Sequence, residues 1–164
     1  MGFMARLLIV HHAPTPGVTA LLDAVLEGAH NDLIEGVDVE SCAALEPDSS
    51  AVLAADGFVF VTPANFGYMS GALKHFFDSI FLETGGALTD DGSAGPVEGG
   101  KKPYGLLVHG RYDTTGAVRS VQSILQALPW VQAAETVEIL GDVGDEHLAR
   151  ARELGATIAA QMSI

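Results

Sequence analysis

A single cysteine, Cys42, excludes any disulfide within the chain and points to a reducing compartment, the cytoplasm. Positive charge is scarce as well. Eight Lys and Arg stand against 21 Asp and Glu, a formal net charge of −13. Such a surface repels phosphate backbones and anionic lipid, so nucleic acid and membrane surfaces are set aside as partners. No apolar run reaches the roughly 20 residues of a membrane span. Met1 to Val10 is too short for a secretory signal and lacks its cleavage pattern. No Ser-His-Asp or Cys-His arrangement is legible, so no side chain is assigned as a catalytic acid, base or nucleophile. His11, His12 and His109 end predicted strands, yet a metal would need a further ligand converging on them, and no metal site is assigned.

What is present suits a packed α/β domain. A length of 164 residues fits one domain, residues 1–164. Hydrophobic residues make up 48% of the chain, enough to build a core and to exclude disorder. Ala5 to His11, rich in Leu, Ile and Val, reads as a strand buried on both faces, and Val37 to Ser41, Phe58 to Val61, Leu106 to His109 and Thr136 to Leu140 read as the four further strands. Between them apolar residues recur at helical spacing. Leu21, Leu22, Val25 and Leu26 mark one helix. Met69, Leu73, Phe76, Phe77, Ile80 and Phe81 form the stripe of a second. Val118, Val121, Leu125 and Leu128 mark a third, with Asp113 or Thr114 as its cap. Leu148, Leu154, Ile158 and Met162 mark the last, capped by Asp145. This alternation predicts a three-layer α/β fold with a five-stranded parallel sheet and right-handed crossovers. Pro63 to Gly67 reads as a loop, and Glu83 to Pro103 as one long irregular stretch.

In open parallel sheets ligands bind beyond the carboxyl ends of the strands, where strand order reverses. For the order 2-1-3-4-5 that point lies between the first and third strands. Three segments then decide function: His11 to Thr19, Thr62 to Gly71 and His109 to Thr115. The first puts Gly17 and the hydroxyls of Thr15 and Thr19 at a helix start, where backbone N–H groups attract phosphate oxygens. Its plainer reading is a Pro-rich turn with Thr19 as a cap.

From Thr62 to Asp78 the chain runs Thr-Pro, a few turn residues, then Ser70-Gly71-x-x-Lys74-x-Phe76-x-Asp78. This stretch resembles the flavin-binding loop of the flavodoxin-like reductases, which include the NAD(P)H:quinone reductases of the tryptophan-repressor-binding-protein type and the NADPH-dependent FMN reductases. Over Thr62 to Asp78 the likeness is specific; elsewhere it rests on the order of elements, which covers nearly the whole chain. The resemblance implies a flavodoxin-like fold and FMN as cofactor, with NAD(P)H as reductant and a quinone, flavin or other small molecule as acceptor. It further implies subunits that pair as homodimers or tetramers. The implied cofactor-binding residues are His12, Thr15, Gly17, Val18 and Thr19 in the first segment. In the second they are Pro63, Ala64, Asn65, Phe66, Gly67, Tyr68 and Met69, with backbone groups from Ala64 to Tyr68 along the ring's polar edge. In the third they are His109, Gly110, Arg111 and Tyr112, where Arg111 would face the N1/O2 edge of the ring and Tyr112 would stack on it.

The first segment departs from the flavodoxin pattern. Pro14 and Pro16 stand where hydroxyl residues are usual, and proline carries no backbone donor. Lys74 and Asp78, four residues apart, also read as a plain helix pair. Three functions remain in view: an FMN-dependent oxidoreductase, a flavodoxin-type electron carrier, and a cofactor-free binding module. A phosphorylated receiver domain is excluded, because its acids are replaced by His11-His12 and by Thr62-Pro63.

Overall fold

The computed structural model describes residues 3–84 and 100–163. The elements run β1 (Ala5–His11), α1 (Pro16–Ala29), β2 (Val37–Ala43), α2 (Ser49–Ala54), β3 (Gly57–Asn65), β4 (Tyr68–Met69) and α3 (Gly71–Thr84). They continue with β5 (Lys102–Gly110), α4 (Thr115–Leu125), β6 (Trp130–Gln132), β7 (Val137–Leu140) and α5 (Asp145–Met162). The parallel sheet has the order β2-β1-β3-β5, and its last position is shared. β6 pairs with the start of β5, Lys102↔Trp130, and β7 with its end, Gly110↔Leu140. The expected order 2-1-3-4-5 therefore holds, with the fifth strand divided into two short pieces. Residues 133–136 separate those pieces, and Trp130 enters the core below them.

Successive strand residues point to opposite faces, and both faces are covered. Leu7, Ile9, Val59, Val61 and Leu107 pack under α1 and α5. Leu8, Val10, Phe58, Phe60, Leu106 and Val108 pack under α2, α3 and α4. Aromatic rings thicken this second layer, with Phe58 and Trp130 centroids 4.2 Å apart and Phe60 and Phe77 centroids 5.4 Å apart. Unbroken burial is why these strands read as continuous apolar runs rather than alternating ones.

Several local expectations are corrected. Pro63 to Gly67 is not a loop throughout: β3 continues to Asn65, turns at Phe66-Gly67 and returns as β4, with Asn65 paired to Tyr68. Thr15, not Thr19, caps α1, because its hydroxyl accepts the Val18 N–H at 3.3 Å and Pro16 opens the helix. Gly144, not Asp145, is the cap residue of α5; its N–H donates to His147 Nδ1 at 3.0 Å. The third cap divides the work: Thr114 holds the position, while Asp113 Oδ1 accepts the Thr115 N–H at 3.0 Å. Of the stretch Glu83 to Pro103, Glu83 and Thr84 end α3, Lys102 and Pro103 begin β5, and residues 85–99 lie outside the described residues.

Candidate functional site

Where β1, β3, β5 and β7 end, their four following turns enclose a cleft of about 600 Å³. Thr15 and Gly17 come to it from the first turn, Pro63, Ala64 and Asn65 from the second, and His109, Gly110 and Arg111 from the third. The rule that ligands sit beyond the carboxyl ends thus gathers eight of the expected residues. A fourth contributor was missed: Gly141, Asp142 and Val143, between β7 and α5, with Leu148 behind them. The signal for it was available, since a Gly-Asp-Val-Gly turn follows the last strand as the others follow theirs.

The fourth turn is fastened to the third. His109 Nε2 lies 2.6 Å from the Gly141 carbonyl oxygen, so that ring nitrogen carries the proton and donates. Arg111 Nη1 donates to Asp142 Oδ1 at 2.7 Å on the open surface. The guanidinium holds the Asp142 carboxyl below the usual carboxylate range, and the carboxylate holds Arg111 above its ordinary value. Val143 then reaches the first turn: a Cβ on Gly17 would stand 3.2 Å from Val143 Cγ2 and 3.9 Å from His109 Cε1. Gly17 thus sits where the first turn closely approaches Val143 and His109, and a larger residue there would press on Val143.

The hairpin is the firmest wall. At its foot Thr62 and Ser70 are both fully buried, with hydroxyl oxygens 2.9 Å apart. The Ser70 N–H donates to Thr62 Oγ1 at 3.2 Å, and the Leu73 N–H donates to Ser70 Oγ at 3.1 Å. The Pro63 carbonyl lies 2.9 Å from Thr62 Oγ1. One proton arrangement satisfies every group: Ser70 donates to Thr62, and Thr62 donates to Pro63. Ser70 therefore caps α3 and ties that helix to the hairpin. At the tip Phe66 has φ 54° and Gly67 φ 76°, the two positive values of a type I′ turn. Glycine takes this geometry readily, but a phenylalanine there is strained. Its ring is wholly exposed.

The third turn packs on the hairpin. A Cβ on Gly110 would lie 3.3 Å from Ala64 Cβ, and one on Gly116 would fall on the Gly67 carbonyl oxygen. Tyr112, exposed in this turn, and Phe66 therefore belong to two turns seated on one another. Thr114, nearly buried, holds the start of α4 to β7 by a 2.7 Å bond to Glu138 Oε1.

The remaining expected residues lie outside the cleft lining. The Val18 and Met69 side chains are buried in the core on opposite sides of the sheet and leave only backbone toward the rim. Thr19 stands on the outside of α1, where its hydroxyl reaches Ala13 O at 3.4 Å. His12 follows β1, half-buried, and its backbone N–H donates to Val61 O at 3.0 Å. Phe66, Gly67, Tyr68 and Tyr112 stand at the rim beyond the lining residues. Lys74 is bound to Asp78 at 2.7 and 2.8 Å, the plain helix pair. Lys101 and Lys102 sit at the amino end of β5, away from the cleft, where Lys102 donates to Leu53 O at 3.1 Å. Among the described residues no group of three or more His, Cys, Asp or Glu is placed to hold a metal ion. No helix among them is long and apolar enough to cross a membrane.

Residues 15–140 match the family described as NADPH-dependent FMN reductase. The chain belongs to that family. A flavodoxin from Aquifex aeolicus (strain VF5) is 29% identical over 85 residues. That match spans 52% of this chain and 45% of the Aquifex protein, less than half the relative's length. Two solved structures share the fold across nearly the whole chain. A flavodoxin from the domain Archaea superposes with a TM-score of 0.76 at 13% identity, covering 96% of this chain and 98% of that one. The Streptococcus pneumonia TIGR4 flavodoxin has a TM-score of 0.72 at 20% identity, covering 96% and 99%. The flavodoxin-like architecture is thus established, and membership of the reductase family supports a flavin-binding oxidoreductase or flavodoxin-like role.

Residues of the cleft fit a flavin unevenly. The hairpin side, with exposed Phe66 and Tyr112 at the rim, would have to take the ring, and the cleft as a whole has a volume in the usual range of about 300–1,000 Å³ for ligand sites. Phe66 and Gly67 lie beyond the last hairpin pair, and the Gly67 carbonyl is covered by Gly116 at the start of α4. The other side holds Thr15, Gly17 and the start of α1, with Pro16 in the lining, and would have to take the ribityl phosphate tail.

Proposed function

We propose that the chain, acting as one domain over residues 1–164, binds FMN in this cleft and uses it to pass electrons from NAD(P)H to a small acceptor such as a quinone or another flavin. The observation that carries the reading is the hairpin: a strained, exposed Phe66 on a buried hydroxyl-locked base, at the switch point of a sheet from the FMN reductase family. Strain of this kind gathers at ligand clamps and switch regions.

When bound, the flavin supplies the redox chemistry, and the protein supplies binding, orientation and electrostatics. The hairpin backbone from Ala64 to Tyr68 would hold the polar edge of the ring. Phe66 and Tyr112 would cover its faces and exclude water. Thr15 and Gly17 would meet the tail. His109 donates its Nε2 proton to Gly141 and so shapes the floor instead of exchanging protons with a substrate. Two subunits, or four, are proposed to assemble around these open clefts.

The test is titration of the purified protein with FMN, followed by NAD(P)H oxidation with a quinone as acceptor. Quenching of flavin fluorescence at micromolar protein together with acceptor-dependent oxidation supports the reading; the absence of both replaces it with a cofactor-free binding module. The electron-carrier alternative draws on the flavodoxin likeness and on the charge of −13, which suits basic redox partners. A reductive titration that proceeds in two separate one-electron steps, without turnover of NAD(P)H, would select it. Sedimentation of the purified chain as a monomer would remove the assembly.

A further inference from the structure

The tail end of the cleft is poor in groups that can hold a phosphate. Of its residues in the first turn, Pro16 has no N–H, which leaves those of Thr15 and Gly17 and the Thr15 hydroxyl as donors. Among the neighbouring N–H groups, His12 donates to Val61 O, Val18 to Thr15 Oγ1 and Thr19 to Thr15 O, which leaves that of Ala13, outside the cleft lining. Pro14 removes one more. The cleft lining holds a single Lys or Arg, Arg111, and Asp142 already neutralises it at 2.7 Å. Among the other cations Lys74, Lys102, Arg150 and Arg152 are bound elsewhere, to Asp78, Leu53 O, Glu138 O and Glu27. A phosphate brought here would give up much of its hydration for two or three donors and no unpaired charge, on a chain of net charge −13.

We propose that the cleft selects the flavin ring and leaves the 5′-phosphate in water, so that riboflavin and FMN bind alike, and that Asp142 is the residue that sets this indifference by occupying Arg111. The inference rests on the flavin reading above and narrows its substrate class to flavins irrespective of the phosphate.

Fluorescence titrations of the intact protein with riboflavin and with FMN test it. The two dissociation constants are expected within about tenfold of each other, a difference of about 1.4 kcal/mol. Raising the ionic strength from about 0.01 M to about 0.15 M shortens the screening length from about 30 Å to about 8 Å, so FMN affinity should rise toward that of riboflavin. In Asp142→Asn, whose altered side chain is 95% exposed, Arg111 is released. The FMN-to-riboflavin affinity ratio should then rise about twofold to fivefold, the worth of one exposed charge contact. A far-UV spectrum matching that of the parent establishes that the variant is folded. FMN binding more than a hundredfold tighter than riboflavin, or weakened by salt, overturns the proposal while leaving the flavin reading intact. If neither flavin binds, both fall together.

Discussion

Under the proposed function, Phe66 sets folding against binding within one residue. Replacing it by Asn, which tolerates a positive φ, should relieve about 1 kcal/mol of backbone strain. The melting temperature should then rise by about 2–4 °C. Flavin affinity should fall about twofold to tenfold as a stacking ring is lost. Thermal melts and fluorescence titrations on the same samples check both directions, and a variant that gains stability without losing affinity would remove Phe66 from the site. His11 carries a pH effect of definite sign. Burial first, and the neighbouring His12 second, lower its pKa from the ordinary value of 6.5. The unfolded chain therefore takes up a proton that the native chain resists. This contribution is fully present above about pH 6.5 and is lost as pH falls toward the depressed native value. Urea midpoints measured between about pH 7 and pH 5 should decline less steeply in His11→Gln. Single residues were unevenly legible in the sequence. Pro63, Ala64 and Asn65 follow from the strand-end rule, and Lys74–Asp78 from helical spacing. The Arg111–Asp142 pair, 31 residues apart, depends on β5 and β7 lying side by side in one register. The inward turn of Val18 and Met69 depends on where each element begins, which periodicity defines least well.

Helices and strands announced themselves where burial was continuous. β1, β3 and β5 were readable as buried runs, β2 and β7 as strands whose burial alternates, and four of the helices by apolar residues at helical spacing. The short pieces were not. α2 has six residues, β6 three and β4 two, too few for a period to emerge. The hairpin was hidden for a further reason: its positive-φ turn carries Phe-Gly where Asn-Gly is the usual signature. Contact between helices left no mark in the sequence either. A Cβ on Gly155 would fall on the Val25 carbonyl of α1, and one on Gly28 on the Arg152 carbonyl of α5. The two helices therefore meet backbone to backbone, and neither glycine lies in a turn that would have drawn attention to it. Gly155→Ala should cost about 1–3 kcal/mol by overpacking, read as a lower urea midpoint with an unchanged slope. Gly71→Ala offers the opposite case, because nothing lies within 4 Å of the added carbon. There the same substitution should stabilise the protein by about 0.4–1 kcal/mol through the unfolded chain. Equal losses at both positions would show that the interhelix contact is not the cause.

For the molecule as a whole, acidity is the dominant long-range term. Only three side-chain pairs between Lys or Arg and Asp or Glu occur among the described residues, Lys74–Asp78, Arg111–Asp142 and Arg152–Glu27, and all are surface pairs of small worth. Self-repulsion in a chain of net charge −13 should outweigh them. Moving from about 0.01 M to about 0.15 M salt should therefore raise the melting temperature by a few degrees, followed by calorimetry without ligand. A decrease would mean that the attractive pairs prevail. The fold class was legible at this scale because alternation of strand and helix admits few topologies. The division of the last sheet position was not, since it rests on a lateral partnership along β5. β3 also has a consequence for the stiffness of the cleft's walls. Its nine residues run from beneath the sheet's centre to the hairpin tip without interruption, a single beam about 26 Å long. The turn bearing Phe66 is thus cantilevered from the deepest-buried strand, whereas the turn bearing Tyr112 is held at its exposed side by an ion pair and one imidazole contact and rests on the hairpin through Gly110 and Gly116. Amide exchange should be slow up to Asn65 and fast from Arg111 to Asp113, so that under the proposed function an arriving ring would meet the hairpin as the fixed side.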